Sequence, residues 1–155
     1  MTIITIDGKK KLEAELKKLV EVTRPTVINA ISEAIAQGDL SENAEYAAAK
    51  EKQSFVEGRI AELSSKITRF QVVNPKEIKE TKIVFGATVT IKNLETEEVS
   101  KYQIVGPDEA NVSAGSISIM SPIARALIGK TEGDETTVIT PKGEMDYEIL
   151  KIEYV

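Results

Sequence analysis

The chain has 155 residues, of which 41% are hydrophobic, so it is long enough to fold as one ordinary domain or as two small ones. It contains no cysteine and no histidine, which excludes disulfides, thiolate nucleophiles, the usual zinc ligands and a Ser-His triad. The net charge is −5, and the whole negative excess lies after residue 75, which argues against a broad basic surface for nucleic acid.

No stretch reaches the roughly 18 apolar residues that a membrane span requires. The N-terminal residues "MTIITIDGKKK" lack the order of positive, apolar and small residues that marks a signal peptide. We therefore expect a cytoplasmic protein without membrane contact.

Two helical patterns make up the first part of the chain. From Asp7, apolar residues at helical spacing predict one long helix, which Pro25 should kink or deprive of a hydrogen bond near residue 21. The second helix has alternating spacings of four and three, which is a heptad seam. Because a short bend joins them, we predict an antiparallel coiled-coil hairpin. The first seam comprises Leu12, Leu16, Leu19, Val27, Ile31 and Ile35, and the second comprises Val56, Ile60, Leu63, Ile67 and Phe70.

After a polar stretch that contains Pro75, the pattern changes to alternating apolar and polar residues. "ATVTIKN" and "EVSKYQIV", separated by "LETE", predict a β-hairpin, and "SISIM" predicts a third strand. "ETTVIT", the turn "PKGE" and "MDYEILKIEYV" predict a final pair of strands. "SPIARALIGK" predicts one short helix, with Ser121 as N-cap, Pro122 at its first position and Gly129 at its end.

These patterns predict an α+β protein with two domains. The first, residues 1–75, is the coiled-coil hairpin, and its acidic tip lies at residues 38–43. The second, residues 76–155, is built on a largely antiparallel β-sheet with one short helix, and it resembles the fold of FKBP-type prolyl isomerases.

Residues at the bend have two possible roles. Gly38 can take up the left-handed conformation that closes the first helix, and Asp39 with Glu42 can form a capping box for the second helix. Alternatively, the two carboxylates can offer oxygen ligands to a divalent cation such as Mg²⁺. Two carboxylates alone would hold Mg²⁺ weakly, so such a tip would work only inside another macromolecule that supplies the remaining ligands.

The bend sequence "GDLSENAEYAAAKE" resembles the tip motif of the bacterial Gre transcript-cleavage factors. "FVEGRIAELSSKI", "VFGATVTI", "YQIVGPDEA" and "SPIARALIGKTEGDE" match the pattern of that family in the same order. The resemblance therefore extends over nearly the whole chain, from Thr5 to Val155.

The resemblance implies a monomeric cofactor of bacterial RNA polymerase, and not an enzyme in its own right. Gre factors dock their C-terminal domain at the secondary channel and insert the hairpin, and the polymerase then hydrolyses backtracked RNA. By this resemblance, Asp39 and Glu42 are the catalytic tip acids, which help to hold a second Mg²⁺ and to orient the attacking water. The Mg²⁺ would be shared with the polymerase only in the complex, and no cofactor is expected on the protein alone. The nascent RNA 3′ end is a further expected partner, whereas stable DNA binding is not expected.

Four more tip residues are candidates for contact with polymerase or RNA. Leu40 either contacts polymerase or packs on the start of the second helix, and Asn43 and Tyr46 either touch polymerase or RNA or are ordinary surface and seam residues. Lys50 either contacts the RNA phosphates or pairs with a neighbouring acid. Since few basic residues surround Lys50, we expect release of short RNA fragments.

Ser121, Pro122 and Arg125 begin the short helix in the region that the family uses to dock on polymerase. The alternative is a capped helix that simply covers the sheet. Met120 departs from the acidic residue that precedes Ser-Pro in some members, while Ile123, Leu127 and Ile128 are expected to be core residues.

Two other functions compete with transcript cleavage. A prolyl isomerase would need an aromatic-lined apolar pocket, for which residues 77–155 offer only Phe85, Tyr102, Tyr147 and Tyr154. A non-catalytic inhibitor of the same channel, or a hairpin chaperone, would not need the spacing of Asp39 and Glu42. The retained acid pair therefore favours cleavage over inhibition.

Overall fold

The computed structural model describes residues 2–38 and 43–155. The chain divides into two compact units, which we call the helical unit, Lys9–Phe70, and the sheet unit, Met1–Gly8 together with Gln71–Val155. The sequence had suggested a boundary at residue 75, but the residues before Lys9 group with the later part of the chain. Within the described residues, no helix is both long enough and apolar enough to cross a membrane.

Two antiparallel arms form the helical unit. The first arm is α1, Ile6–Lys18, then a π-helical turn, Leu19–Thr23, then α2, Arg24–Ala36. The second arm is α3, Ala44–Ile67, which packs along α2. The predicted helical hairpin is thus confirmed, although its first arm is not one uniform α-helix.

The π turn lies just before Pro25, where the sequence predicted a kink or a lost hydrogen bond. The backbone N–H of Arg24 donates to the carbonyl of Leu19, five residues back, which defines the wider π turn. Pro25 has no N–H to donate, and the hydroxyl of Thr26 donates to the carbonyl of Val22 at 2.8 Å. The helix is therefore disturbed close to Pro25, and the disturbance is a change in helix type.

The register of the seam gives a second reason for the π turn, independent of Pro25. Leu19 and Val27 both belong to the seam but are eight residues apart, whereas a heptad repeat would separate them by seven. The wider turn takes up the extra residue and keeps both side chains against α3. Ile35, which the sequence placed in the seam, is instead 51% exposed, and Ala34 is buried there because the spacing after Ile31 is three.

The buried contacts of the helical unit join α2 to α3. Val27 packs with Val56 and Ile60, and all three have little contact with solvent. Further apolar side chains on the first arm pack against this cluster, and they are Leu16, Leu19 and Ile31. The heptad seam of α3 is confirmed at Val56, Ile60 and Leu63, which are buried, while Ile67 at the end of the helix is half-buried.

Two short strands were missed in the sequence. β1, Thr2–Thr5, precedes α1, and β2, Phe70–Val73, follows α3, and the two pair as a small sheet. The placement of Phe70 in the helical seam was therefore wrong, since α3 ends at Ile67. Phe70 has the right spacing for the heptad, and only the pairing with β1 gives these residues an alternative to the helix.

The carboxylate of Glu109 fastens β1 inside the sheet unit. It accepts hydrogen bonds from the backbone N–H of Thr5 at 2.7 Å, from the Thr5 hydroxyl, and from the N–H of Gly106 at 3.0 Å. The Thr5 hydroxyl in turn accepts from the N–H of Gly8 at 3.1 Å and so caps the start of α1. A side chain at Gly106 would overlap the carbonyl oxygen of Ile3, which explains the glycine.

Five strands form the main sheet, in the order β5-β4-β3-β7-β6. All its pairs are antiparallel except β4 with β5. The strands are β3, Thr88–Asn93, β4, Val99–Val105, β5, Ser116–Ser118, β6, Glu135–Thr140, and β7, Gly143–Glu153. The largely antiparallel sheet that the alternating pattern predicted is confirmed.

Helix α4, Pro122–Leu127, contributes Ala124 and Leu127 to the core of this sheet. Leu127 is 1% exposed and Ile123 packs against the same core, as expected. Ile128 was expected in the core but is 38% exposed, because the chain leaves the helix there before Gly129, whose φ is +86°. The α+β class, with a helical hairpin and a short helix on a largely antiparallel sheet, is confirmed.

Candidate functional site

The end of α2 is described as far as Gly38. The N–H of Gln37 donates to Ala34 and the N–H of Gly38 donates to Ile35, at 3.2 and 3.3 Å, so the helix closes in its last turn. Gly38 has a φ of +117°, a value that favours glycine, as the sequence predicted for this helix end.

The next four residues, which include Asp39, Leu40 and Glu42, lie outside the described residues. The roles of Asp39 and Glu42 as catalytic and metal-binding acids, and that of Leu40 as a contact residue, therefore stay predictions. Among the residues that the structure does describe, no group of three or more acidic side chains has the arrangement of a metal site.

Asn43 is the N-cap of α3. Its Oδ1 accepts a hydrogen bond from the N–H of Tyr46 at 3.0 Å, three residues on, as an N-cap side chain does. The N-cap of α3 is therefore Asn43 and not Asp39, as the capping-box alternative assumed, because α3 starts at Ala44, two residues after Glu42. Asp39 and Glu42 are not needed to cap this helix.

The same side chain also reaches the other arm. Nδ2 of Asn43 donates to the carbonyl oxygen of Ala34, in the last turn of α2, at 2.7 Å. Asn43 thus bonds to the end of one helix and to the start of the next. Sequence reasoning missed this role because Asn before Ala-Glu signals a cap only, and the contact nine residues back depends on how the arms pack.

Tyr46 and Lys50 lie in the first two turns of α3. Tyr46 is partly buried, which favours the alternative that its ring is a seam residue. Contact of Tyr46 with polymerase or RNA stays a prediction. Lys50 is exposed, and its Nζ donates to Oε1 of Gln53 at 3.1 Å. This hydrogen bond of Lys50 is therefore to a neutral amide and not to the neighbouring acid that one alternative assumed.

Ion pairs between the arms add to the seam. Arg24 forms two hydrogen bonds of 2.8 Å with Glu57, and Arg59 forms two, of 2.6 and 3.1 Å, with Glu15. The hydrogen bond from Arg24 lowers the pKa of Glu57, and the bond to Glu15 raises the pKa of Arg59. Such exposed pairs stabilise weakly, but bidentate geometry fixes which face of each arm meets the other.

The three predicted docking residues belong to α4 and its N-cap, with Arg125 in the last turn of this short helix. Ser121 is its N-cap, with Oγ accepting from the N–H of Ala124 at 3.2 Å, and Pro122 is its first residue, as predicted. Arg125 is exposed, and so is Met120, at 58%. Pro122 and Arg125 are thus exposed on the short helix while Ser121 is half-buried, and the docking role of all three stays a prediction.

The four aromatic side chains of the sheet unit are engaged in packing or in hydrogen bonds. Phe85 is buried, while Tyr102 and Tyr147 pack against the core. The hydroxyl of Tyr154 donates to the carbonyl of Lys82 at 2.6 Å and accepts from the N–H of Val84 at 3.0 Å. One pocket on the sheet unit is lined by polar and charged side chains, and these are Lys130, Glu135, Thr136, Thr137 and Asp146.

Comparison with known proteins places the whole chain in one family. The family model described as "Transcription elongation factor, GreA/GreB, C-term" matches residues 78–154, and "Transcription elongation factor, N-terminal" matches residues 2–72. The chain is 56% identical over 151 residues to transcription elongation factor GreA of Hyphomonas neptunium, covering 97% of this chain and 96% of that one. It is 55% identical over 153 residues to GreA of Neisseria meningitidis serogroup A, covering 98% and 97%.

A solved structure, that of the GreA factor homolog 1 (Gfh1) protein of Thermus thermophilus, is 25% identical with a TM-score of 0.43, over 97% of each chain. That TM-score adds nothing to the assignment, which the sequence relatives and the two family models carry. The resemblance to Gre factors found from the tip motif, on the GreA side of the family, is confirmed. The chain belongs to the GreA/GreB family of transcription elongation factors.

Proposed function

We propose that this elongation factor binds RNA polymerase, inserts the turn of its hairpin into the secondary channel and stimulates the Mg²⁺-dependent hydrolysis of backtracked RNA. The polymerase performs the hydrolysis, and the hairpin supplies Asp39 and Glu42. Arrested complexes would thereby regain a correctly placed RNA 3′ end. The proposed place of action is the cytoplasm, where the polymerase transcribes.

One observation carries the proposal most directly, and it is the cap of α3. Because Asn43 is the N-cap of α3, this helix does not use Asp39 as its N-cap, which leaves the acid pair available for a role in binding. The caps of α2 and α3 are Gln37 and Asn43, so neither acid is the cap residue of either helix. We therefore assign the two acids a role in binding. Family membership supplies the context in which that role is transcript cleavage.

The chemistry of the donor set fits a shared magnesium ion. Asp and Glu offer the oxygen ligands that Mg²⁺ prefers, and Mg²⁺ usually keeps several waters and takes only one or two protein carboxylates. When bound, the ion supplies charge stabilisation for the attacking and leaving oxygens. The side-chain oxygen of Asn43 is not counted among these ligands, because it accepts a hydrogen bond from the N–H of Tyr46.

The proposed docking surface is the exposed side of α4, with Met120 just before the helix. Arg125 and Met120 are exposed beside Pro122, so a partner can reach them without unfolding the sheet unit. The buried side chains of α4, Ala124 and Leu127, pack in the core of the sheet unit. The residues proposed for docking are therefore not the ones that hold the helix on the sheet. A substitution at Arg125 should therefore weaken binding to polymerase without loosening the fold.

Prolyl isomerase activity is the weaker alternative. Such a site needs an apolar pocket lined by aromatic side chains. The candidate aromatic residues of the sheet unit are buried, packed on the core or, in Tyr154, hydrogen-bonded to the backbone. An assay with a short proline-containing peptide should accordingly give no activity above background.

The experiment is a transcript-cleavage assay on backtracked polymerase with end-labelled RNA. The wild type should shorten the RNA, and the Asp39→Asn/Glu42→Gln variant should bind polymerase but leave the RNA uncut. The matched control is Glu45→Gln/Glu51→Gln, which removes the same charge from exposed positions of α3 and should still stimulate cleavage. Arg125→Ala should cleave poorly at low concentration and recover as more factor is added.

Three outcomes would contradict the proposal. Undiminished cleavage by the tip variant would remove the acids from the reaction. Blocked elongation without cleavage by the wild type would identify a channel inhibitor. Equal loss of cleavage in the tip variant and in the α3 control would indicate a general charge effect in place of two specific ligands.

A further inference from the structure

We propose that Asn43 is a positioning residue for the tip, which braces the two helix ends so that Asp39 and Glu42 are presented together. The inference rests on the proposed function and adds to it a residue that is neither a metal ligand nor a polymerase contact. It replaces the contact role that the sequence suggested for Asn43.

Two hydrogen bonds with different chemistry support this role. The acceptor, Oδ1, satisfies the N–H of Tyr46, and the donor, Nδ2, satisfies the carbonyl of Ala34. The carbonyl of Ala34 lies in the last turn of α2, where helix ends leave carbonyl groups short of donors, and the side chain of Asn43 gives it a second donor besides the N–H of Gln37. The bond of 2.7 Å to Ala34 is shorter than the 3.2 Å bond that the same carbonyl accepts from Gln37.

Capping alone does not require asparagine. Asp and Ser are about as good at an N-cap as Asn. Neither reproduces the second bond, because an ionised Asp has no donor and the Ser hydroxyl is shorter than the amide. The amide is thus the group that makes both bonds, and the bond to Ala34 is the one that joins the arms.

The brace lies at the base of the acidic segment. Ala34 is 2% exposed and seals the end of the seam, and Gly38 closes α2 four residues later. Residue 43 is therefore tied to the last turn of α2 while only four residues connect Gly38 to it. Two carboxylates that share one ion depend on geometry, and an error of about 1 Å in a reacting group can cost about 100-fold in rate.

The test compares Asn43→Ser with Asn43→Ala. Asn43→Ser keeps a cap for Tyr46 but loses the donor to Ala34, whereas Asn43→Ala loses both. The readout is the Mg²⁺ concentration that gives half-maximal stimulated cleavage at saturating factor. We expect both variants to raise it about threefold or more and to lower maximal cleavage about tenfold, because poorly aligned acids hold a shared ion weakly.

The control is Ile60→Val, which loosens the seam without touching the brace. It should leave the Mg²⁺ midpoint unchanged, so a general loss of hairpin stability is separated from misplacement of the acids. Polymerase binding should stay within about twofold for both Asn43 variants, since Asn43 acts through the tip.

The outcomes distinguish this inference from the proposed function. If Asp39→Asn/Glu42→Gln cleaves like the wild type, the proposed function fails, and the inference fails with it. If the tip variant is inactive but Asn43→Ser has the wild-type midpoint and maximum, only the positioning role is overturned. A loss of polymerase affinity with an unchanged midpoint would also overturn it, because Asn43 would then be a contact residue.

Discussion

The π turn leads to a testable prediction, because it has two candidate causes. One is Pro25, and the other is the extra residue between the seam positions Leu19 and Val27. If Pro25 causes the turn, Pro25→Ala should convert it to α-helix. If the extra residue between Leu19 and Val27 causes it, Pro25→Ala should keep the turn, and deletion of one nearby residue should remove it. We expect the second result.

Two single-residue deletions in the Pro25→Ala background measure the effect. Deleting Val22, which is 56% exposed, moves Val27 and the seam residues after it by one position, so that they continue the heptad of the preceding turns. Deleting Ala30 instead leaves the seam out of register. Either Thr26 then takes the place of Val27, or Ser32 and Ile35 take the places of Ile31 and Ala34.

The magnitude follows from the burial of Val27, which is 3% exposed. Removing a buried valine side chain from the seam costs about 1.5–3 kcal/mol, and a hydroxyl without a partner in its place costs about 1 kcal/mol or more. The Ala30 deletion should therefore lower the free energy of unfolding about 3 kcal/mol more than the Val22 deletion does.

Denaturant unfolding followed by far-ultraviolet circular dichroism measures this difference, because most of the described helix belongs to the two arms. Each deletion shortens the first arm by one residue, so the comparison cancels that common cost. Equal destabilisation by the two deletions, or greater destabilisation by the Val22 deletion, would refute the explanation by register.

Two further predictions concern stability. Gly106→Ala should lower the free energy of unfolding of the sheet unit by about 1–3 kcal/mol, because the new methyl overlaps the Ile3 carbonyl, while Gly58→Ala, on open helix surface, should stabilise by about 0.5–1 kcal/mol; denaturant midpoints that move in the same direction would contradict this. Arg24 lowers the pKa of Glu57 chiefly by hydrogen bonding, so their pair stabilises above the carboxyl's unfolded pKa and the stabilisation is lost as pH falls through the lowered value. Glu57→Gln should therefore flatten the acid side of the stability curve, and an unchanged acid side would count against the pair.

Regular repeats were the part of the fold that could be predicted from the sequence. The heptad spacing of α3 and the alternation in β3, β4, β6 and β7 reflect side chains that face one core, so local pattern and final structure agree. Ser121 and Gly129 also mark the ends of α4 as their chemistry predicts.

Features that depend on distant partners could not be predicted. β1 and β2 are only four residues long, and each exists because it pairs with the other across more than 60 residues. Ile35 fits helical spacing as well as Ala34 does, and the packing against α3 decides between them. At the candidate site, the two acids followed from a motif, whereas the bond from Asn43 to Ala34 required the packed arms.

The pairing of β1 with β2 has a consequence for how such proteins change over time. The chain enters the hairpin from one strand of this small sheet and leaves it into the other, so both ends of the helical segment are held by the same pair. A helical hairpin of different length or surface could therefore be inserted between the same two strands, provided that its own seam residues stay in register.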